Sequence, residues 1–263
     1  MQKIRIDILL TERGLVESRS KAQRLVMAGQ VIVDDQVVFK PATKVSSDAQ
    51  LHIEKGSPFV SRGGEKLEAA VKVFDIDISG KICADIGAST GGFTDCLLQH
   101  GAERVYAIDV GRGILHWQLR QDPRVAVMEG TNARYVEYLP EAVDLVTVDA
   151  SFISLKILLP VVRCWFSPGG GDVIVLIKPQ FEAGRAEVSR GEGVIRDPTI
   201  HRHVLMDVLK FSQDDGYQVL GLIRSPLLGP KGNTEFLSYL KFPLESEIDI
   251  TKLINVLVPE TEE

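Results

Sequence analysis

From residue 81 onward the chain repeats one pattern: a short apolar run, a turn, then an amphipathic stretch. The runs over 82–86, 104–109, 125–128, 144–149 and 172–177 are continuous and rich in Val and Ile, as strands buried on both faces are. Helical spacing between them predicts helices over 91–100, 112–121, 153–166 and 199–214. Such alternation favours consecutive parallel strands, with crossover helices covering both faces of one sheet. Two closing strands, 217–224 and 236–242, are joined by a loop and predict an antiparallel edge. The expected class is α/β, with a Rossmann-like, mostly parallel, seven-stranded sheet.

The first of these strands runs into Asp85-Ile86-Gly87-Ala88-Ser89-Thr90-Gly91-Gly92-Phe93. Gly87 and the Gly91-Gly92 pair let the backbone turn sharply and approach a ligand closely. The first N–H groups of the following helix then face that ligand. A dinucleotide fingerprint wants a glycine where Ala88 stands, and a phosphate-binding P-loop wants a Gly-Lys-Ser/Thr ending that is absent. An acid ahead of such a loop suits a ligand with a cationic part and a ribose, and S-adenosylmethionine has both. Asp109 ends the next strand, 22 residues beyond Gly87. An acid there can accept both hydroxyls of a ribose. The plainer readings are a tight strand-to-helix turn for the loop and a helix cap for Asp109.

In a doubly wound sheet, ligands bind beyond the carboxyl ends of the strands. Asp149 ends the fourth strand, Lys178 ends the fifth, and Glu235 opens the last. Pro179 cannot continue a strand ladder, so Lys178 sits at a forced exit from the sheet. A lysine after five apolar residues is costly to bury unless paired, and Asp149 and Glu235 are the available partners. The alternative is a Lys–Asp bridge that only ties loops together. Lys66 lies on a helix running to about Phe74, beside its apolar side of Leu67, Ala70, Val71 and Phe74. Taken alone, it reads as a snorkelling surface lysine.

Residues 1–55 form a unit of their own, followed by a linker over 56–60, where Gly56 and Pro58 stop both neighbours. Its Ile6, Ile8-Leu9-Leu10 and Leu15 have helical spacing ended by Gly14. Ser18 caps a second helix that runs to Ala28. Val31-Ile32-Val33, Asp34-Asp35 and Val37-Val38 read as a hairpin, with a further strand from Gln50 to Ile53. Asp7-x-Leu9-Leu10, Arg13-Gly14-Leu15, Ser18-Arg19-Ser20-Lys21-Ala22, Gly29-Gln30-Val31 and Lys40-Pro41 resemble the S4 RNA-binding domain, a small α+β unit. The resemblance implies contact with folded RNA through Lys3, Arg5, Arg19, Lys21 and Arg24. Phosphate contacts of this kind position a protein without reading sequence.

Charge agrees with that division. The whole chain carries −6, but residues 1–60 hold nine Lys+Arg against seven Asp+Glu, giving +2, and the remainder holds 21 against 29, giving −8. The N-terminal unit is thus the expected polyanion contact. Arg5, Asp7, Glu12 and Arg13 interrupt any signal-like start, and no apolar run approaches the ~18 residues of a membrane span. Cys83, Cys96 and Cys164 form no C-x-x-C pair and read as buried or free thiols in a reducing cytoplasm, without a metal. Residues 246–263 read as a weakly ordered acidic tail frayed at Glu260 to Glu263. Residues 182–197, glycine-rich and aperiodic, read as a mobile flap that orders on RNA binding.

Further motifs are Ser61-Arg62-Gly63-x-x-Lys66-Leu67, Thr131-Asn132-Ala133-Arg134, Asp149-x-Ser151-Phe152-Ile153-Ser154-Leu155, Lys178-Pro179-Gln180-Phe181-Glu182 and Gly229-Pro230-x-Gly232-Asn233-x-Glu235. With the glycine loop and Asp109-Val110-Gly111, they make the chain resemble the haemolysin-A-type (TlyA) family of ribosomal RNA 2′-O-methyltransferases. These join an S4 domain to an FtsJ-like methyltransferase domain, here expected over 61–245. The chain departs from the family at Pro58-Phe59, where an Arg and a Trp can stand before the Val.

The resemblance implies a Lys-Asp-Lys-Glu catalytic set falling on Lys66, Asp149, Lys178 and Glu235. It implies cofactor contacts from Asp85, Gly87, Ala88, Ser89, Thr90, Gly91, Gly92, Phe93, Asp109, Asn132 and Asp149, and adds Arg62 to the RNA contacts. The implied substrate is ribosomal RNA within ribosomal subunits, methylated at cytidine, with no membrane and no obligate protein partner. Methyl transfer from a sulfonium to a 2′-hydroxyl needs alignment and loss of a proton from a weak acid. Lys178 is assigned as hydroxyl activator, Lys66 as its electrostatic neighbour and substrate orienter, and Asp149 and Glu235 as positioners. The competing readings are a membrane-active haemolysin and a non-catalytic RNA-binding protein on a methyltransferase fold.

Overall fold

The computed structural model describes residues 3–27, 29–53, 56–184 and 193–259. The chain divides into two compact units, Met1–Pro58 and Phe59–Glu263. In the first, strand β1 (Lys3–Arg5) pairs antiparallel with β4 (Lys44–Ser46). Strand β2 (Val31–Val33) lies between β3 (Gln36–Val37) and β5 (Leu51–Ile53). Helices α1 (Ile6–Glu12) and α2 (Arg19–Met27) supply Ile6, Leu10, Ala22 and Val26 to a core shared with Val31 and Val33. Asp34 and Asp35 take φ of 47° and 64°, the left-handed pair that a two-residue hairpin turn requires. Helix α1 ends at Glu12, earlier than the apolar spacing implied. Leu15 therefore lies beyond the helix, 44% exposed, with its N–H bonded to the Leu10 carbonyl across the turn at Gly14.

The second unit is one seven-stranded sheet of β6 (Ile82–Ile86), β7 (Arg104–Asp109), β8 (Val125–Glu129), β9 (Leu145–Val148), β10 (Gly171–Ile177), β11 (Gln218–Arg224) and β12 (Phe236–Phe242). The spatial order is β11-β12-β10-β9-β6-β7-β8. All pairings are parallel except those of β12, which runs antiparallel to both β10 and β11. The helices are α3 (Gly63–Phe74), α4 (Gly92–Gln99), α5 (Trp117–Gln121), α6 (Leu155–Val162), α7 (Pro179–Glu182), α8 (Pro198–Asp214) and α9 (Ile250–Leu257). Strand parity builds two cores. Val173, Val175 and Ile177 face one side with α6, α8 and α9, while Ile174 and Leu176 face the other with α3 and α4.

Three expectations are corrected. Helix α5 begins at Trp117 rather than 112, because the Glu129 carboxylate takes the N–H groups of Gly113, Ile114 and Leu115 out of any helix. The segment after β9 enters α6 only at Leu155, since Phe152 has φ +64° and Ser154 caps the helix by accepting the Lys156 N–H. The expected acidic tail contains α9, capped by Asp249 and buried through Ile250 and Ile254. Its last residues, Glu260 to Glu263, fall outside the described residues, as do 185–192 of the expected flap. The described remainder of that segment is anchored: Val194 and Ile195 are buried, and Asn233 accepts the Ile195 N–H and donates to the Gly193 carbonyl. No helix among the described residues is long and apolar enough to cross a membrane.

Candidate active site

Strand β6 stands between β7 and β9, so the loops leaving its carboxyl end diverge there and open a crevice. Gly87 turns the chain at φ +82°. A Cβ at this position would lie 2.6 Å from the Asp149 carbonyl oxygen, so only glycine lets the loops after β6 and β9 touch. Gly92 does the same for two helix starts: a Cβ there would meet the Ser61 side chain and lie 2.8 Å from the Gly64 nitrogen.

Two cavities meet at this loop. One of ≈ 280 Å³ has apolar walls from Ile86, Ile108, Val110, Ile114 and Ile153, with Asp109, Thr131 and Asn132 at its polar edge. The other, ≈ 490 Å³, is lined by Ser61, Arg62, Lys66, Ala88, Thr90, Gly92 and Phe93. Gly87, Ser89 and Asp149 line both.

Asp109 braces the first cavity. Its carboxylate accepts the Ser89 N–H at 2.8 Å and the Gly111 N–H at 2.7 Å. Glu129 was not singled out by the sequence reading. It accepts three consecutive N–H groups, from Gly113, Ile114 and Leu115, and pairs with Arg120. The guanidinium first, then the backbone donors, hold this carboxyl down to about 2. The available signal was an acid ending a parallel strand opposite a glycine-rich loop.

The four polar residues expected to act together form two ion pairs. Lys178 Nζ lies 2.6 Å from Asp149 Oδ1 and also donates to the Asp149 carbonyl and to Ser151 Oγ. Lys66 Nζ lies 2.6 Å from Glu235 Oε2. Lys178 is 7% exposed and Glu235 1%. The other Glu235 oxygen is buried with no hydrogen-bond partner among the described residues, against Gly229, where a Cβ would collide with it. Phe152, in the left-handed conformation, is 91% exposed at the rim of the first cavity, its ring 4.9 Å from that of Phe181. A bulky residue held at positive φ stores strain, and this exposed ring packs on Phe181, whose centroid lies 5.8 Å from Lys178 Nζ.

Asp85 is not at the crevice. Its fully buried side chain accepts the Thr94 hydroxyl at 2.7 Å and the Thr147 hydroxyl at 3.0 Å, and it lines neither cavity. Strand parity directs it inward beneath α4. Burial pushes its carboxyl up to about 7 against the opposing pull of the two hydroxyls. Gly91 likewise lines neither cavity; it supplies the φ +99° that starts α4.

Among the expected RNA contacts, Arg5 and Arg19 both bind Asp7, and Lys21 binds Glu17. Lys3 and Arg24 are exposed. Elsewhere, Glu68 holds Lys72 and His100 and accepts the Cys96 thiol at 3.8 Å. Cys83 and Cys96 are buried and Cys164 is exposed.

Residues 59–242 match the family model for the FtsJ-like methyltransferase, and residues 4–51 match that for the S4 domain. The chain is 44% identical over 247 residues to the Mycobacterium tuberculosis 16S/23S rRNA (cytidine-2'-O)-methyltransferase TlyA, covering 91% of this chain and 90% of that one. It is 40% identical over 246 residues to Hemolysin A of Brachyspira hyodysenteriae, covering 90% and 99%. A solved Streptococcus thermophilus structure, described as a candidate hemolysin, is 43% identical with TM-score 0.75, covering 98% of this chain and 95% of that one. Residues 59–242 are thus an FtsJ-like methyltransferase domain preceded by an S4 domain, and the chain belongs to that family.

Proposed function

We propose that the protein methylates a ribose 2′-hydroxyl of ribosomal RNA, at cytidine, using S-adenosylmethionine. The observation that carries this is the pair of buried Lys–carboxylate contacts, Lys178–Asp149 and Lys66–Glu235, of which Asp149 and Lys66 line the cavities that meet at the glycine loop. The apolar cavity, with a carboxylate at its edge, suits an adenosine: Ile108, Val110 and Ile114 offer walls for the base, and Asp109 and Asn132 offer polar contacts. When bound there, S-adenosylmethionine supplies a methyl group on an electron-poor sulfonium. Asp149 and Ser89 border both cavities and so lie where cofactor and substrate meet.

The polar cavity, entered past Arg62 and Lys66, takes the RNA strand. The target nucleotide leaves its stack, and Phe152 provides a ring for its base. Lys178, ion-paired with Asp149, then faces the 2′-oxygen and stabilises the negative charge that develops there, assisting loss of the hydroxyl proton to solvent as the oxygen takes the methyl group. Asp149 and Ser151 fix the Lys178 amine, and Glu235 fixes Lys66.

Lys178→Ala is expected to lower methyl transfer by about a hundred- to ten-thousandfold, with little change in S-adenosylmethionine affinity. Labelled cofactor with undermethylated 30S and 50S particles measures the first, and calorimetry the second. Normal turnover by that variant would overturn the assignment. The Mycobacterium relative's name cites both 16S and 23S rRNA, so both particles belong in the assay.

A further inference from the structure

We infer that Asp7 is a positioning residue that pre-sets Arg5 and Arg19 as a two-guanidinium seat for an RNA phosphate. The inference rests on the RNA-substrate reading above and concerns the S4 unit alone.

The Asp7 side chain is fully buried at the first turn of α1, yet it is a carboxylate. A buried carboxylate is unfavourable unless every lone pair finds a donor. Arg5, at the end of β1, binds it with Nε to Oδ1 and Nη2 to Oδ2, both at 3.0 Å. Arg19, which opens α2, donates Nε to Oδ2 at 3.0 Å, and Gln23, one turn on, donates to the same oxygen at 2.9 Å. One acid thus gathers two cations from two different elements onto one point and leaves a local excess of positive charge. Each guanidinium has five N–H donors, and Asp7 engages only part of each fork. The outer edges reach water, the Arg5 side chain being 37% exposed and the Arg19 side chain 53%.

That arrangement differs from the other expected RNA contacts of this unit. Lys21 is paired with the surface residue Glu17, and Lys3 and Arg24 are exposed. A long flexible cation loses side-chain freedom when it grips a phosphate, whereas one already clamped from behind loses less. Two planar forks fixed at a common carboxylate also suit the bidentate geometry of a phosphodiester. A mere staple of the fold would not need two half-exposed arginines, because an apolar pair of similar volume commonly serves as well.

Charge and positioning predict opposite signs for one substitution. Asp7→Asn removes a negative charge, so a contact driven by net charge alone would bind RNA more tightly. Loss of positioning makes it bind more weakly, by about tenfold if two side chains become free. The full-length protein is titrated with undermethylated 30S and 50S particles at several salt concentrations, alongside Gln23→Ala and Arg19→Ala. We expect Asp7→Asn to weaken binding about tenfold and Gln23→Ala to weaken it less. Arg19→Ala should lower the slope of log affinity against log salt by about 1. S-adenosylmethionine affinity, which reports the other unit, should not move. Asp7→Asn binding as tightly as wild type, or more tightly, would overturn the inference. Should Asp7→Asn unfold the S4 unit by circular dichroism, Gln23→Ala decides: wild-type affinity in that folded variant overturns it. Wild-type protein that binds neither particle would sink the RNA-substrate reading instead, a separate outcome.

Discussion

Each unit of the chain buries one aspartate completely, and the two behave in opposite ways. Asp7 meets two guanidiniums and a carboxamide, and Arg5 above all holds its carboxyl far below the usual carboxylate range. Asp85 meets two threonine hydroxyls and the Thr94 backbone N–H, none of them charged, and burial pushes it up to about 7. Both are shielded from water, so burial alone does not decide ionisation; the charge of the partners does. The consequence for each unit follows. The Asp7 charge is permanent at neutral pH and can organise cations. Asp85 is near its midpoint there, and its bonds tie β6 to β9 and to α4, behind the glycine loop rather than in front of it.

The largest test of this contrast is Asp85→Asn. A folded-state value above the ordinary 3.8 means that the native protein binds more protons than the unfolded chain between about pH 4 and 7. Wild-type stability contributed by Asp85 therefore falls as pH rises through that window and is flat above it. An amide cannot ionise, so Asp85→Asn should be more stable at pH 8 by on the order of 3 kcal/mol, the gain fading towards pH 4. Thermal unfolding of both proteins from pH 4 to 8 measures it; a gain that does not vary with pH would break the comparison.

Asp7→Ala comes next. The unpaired guanidiniums can turn to water, so the loss falls below that of a fully buried pair, at about 2 kcal/mol. The Asp7 contribution has the opposite sign to that of Asp85. It is present above about pH 4 and is lost as pH falls below that. Melting of the S4 unit in acid, compared between wild type and Asp7→Ala, should show the difference closing only there. A smaller effect sharpens the Asp85 side: Thr147→Val removes one hydrogen bond to the carboxylate, should cost about 1 kcal/mol at pH 8, and should shift the Asp85 midpoint further up.

These two aspartates also mark where sequence reading succeeds and where it stops. The sheet was legible because each buried strand is a continuous apolar run, and strand ends located Asp109, Asp149, Lys178 and Glu235 without coordinates. Asp85, expected as a cofactor contact, lies two residues before Gly87 inside a strand whose parity turns it towards α4 with Cys83, an orientation the motif alone does not show. Strands β1 and β4, three residues each, are too short to show a period. Helix α9 was obscured by the acids around it, its stability coming from Ile250 and Ile254 packing on the core. Asp7 was legible as part of a motif, but not as a clamp, because its partners Arg19 and Gln23 lie a helix away. The pairing of Lys66 with Glu235 joins residues 169 apart, a distance no local pattern spans.

Glu129 provides the finest test, because it is an acid whose partners combine both cases: one guanidinium and three backbone dipoles. Its role is to hold residues 113–115, which set the wall of the apolar cavity at Ile114. Glu129→Gln keeps the length but replaces one acceptor oxygen with a donor, which opposes the N–H groups facing it. Loss of about one hydrogen bond in the bound state corresponds to about fivefold weaker S-adenosylmethionine binding. Turnover at saturating cofactor should stay unchanged, since Lys178 and Asp149 are untouched. If the Arg120 pairing were the whole of the effect, Arg120→Gln would weaken the cofactor as much as Glu129→Gln does. If the backbone dipoles carry it, Arg120→Gln would do less, and partner charge would then govern ionisation at Glu129 without governing the shape of the cavity it supports.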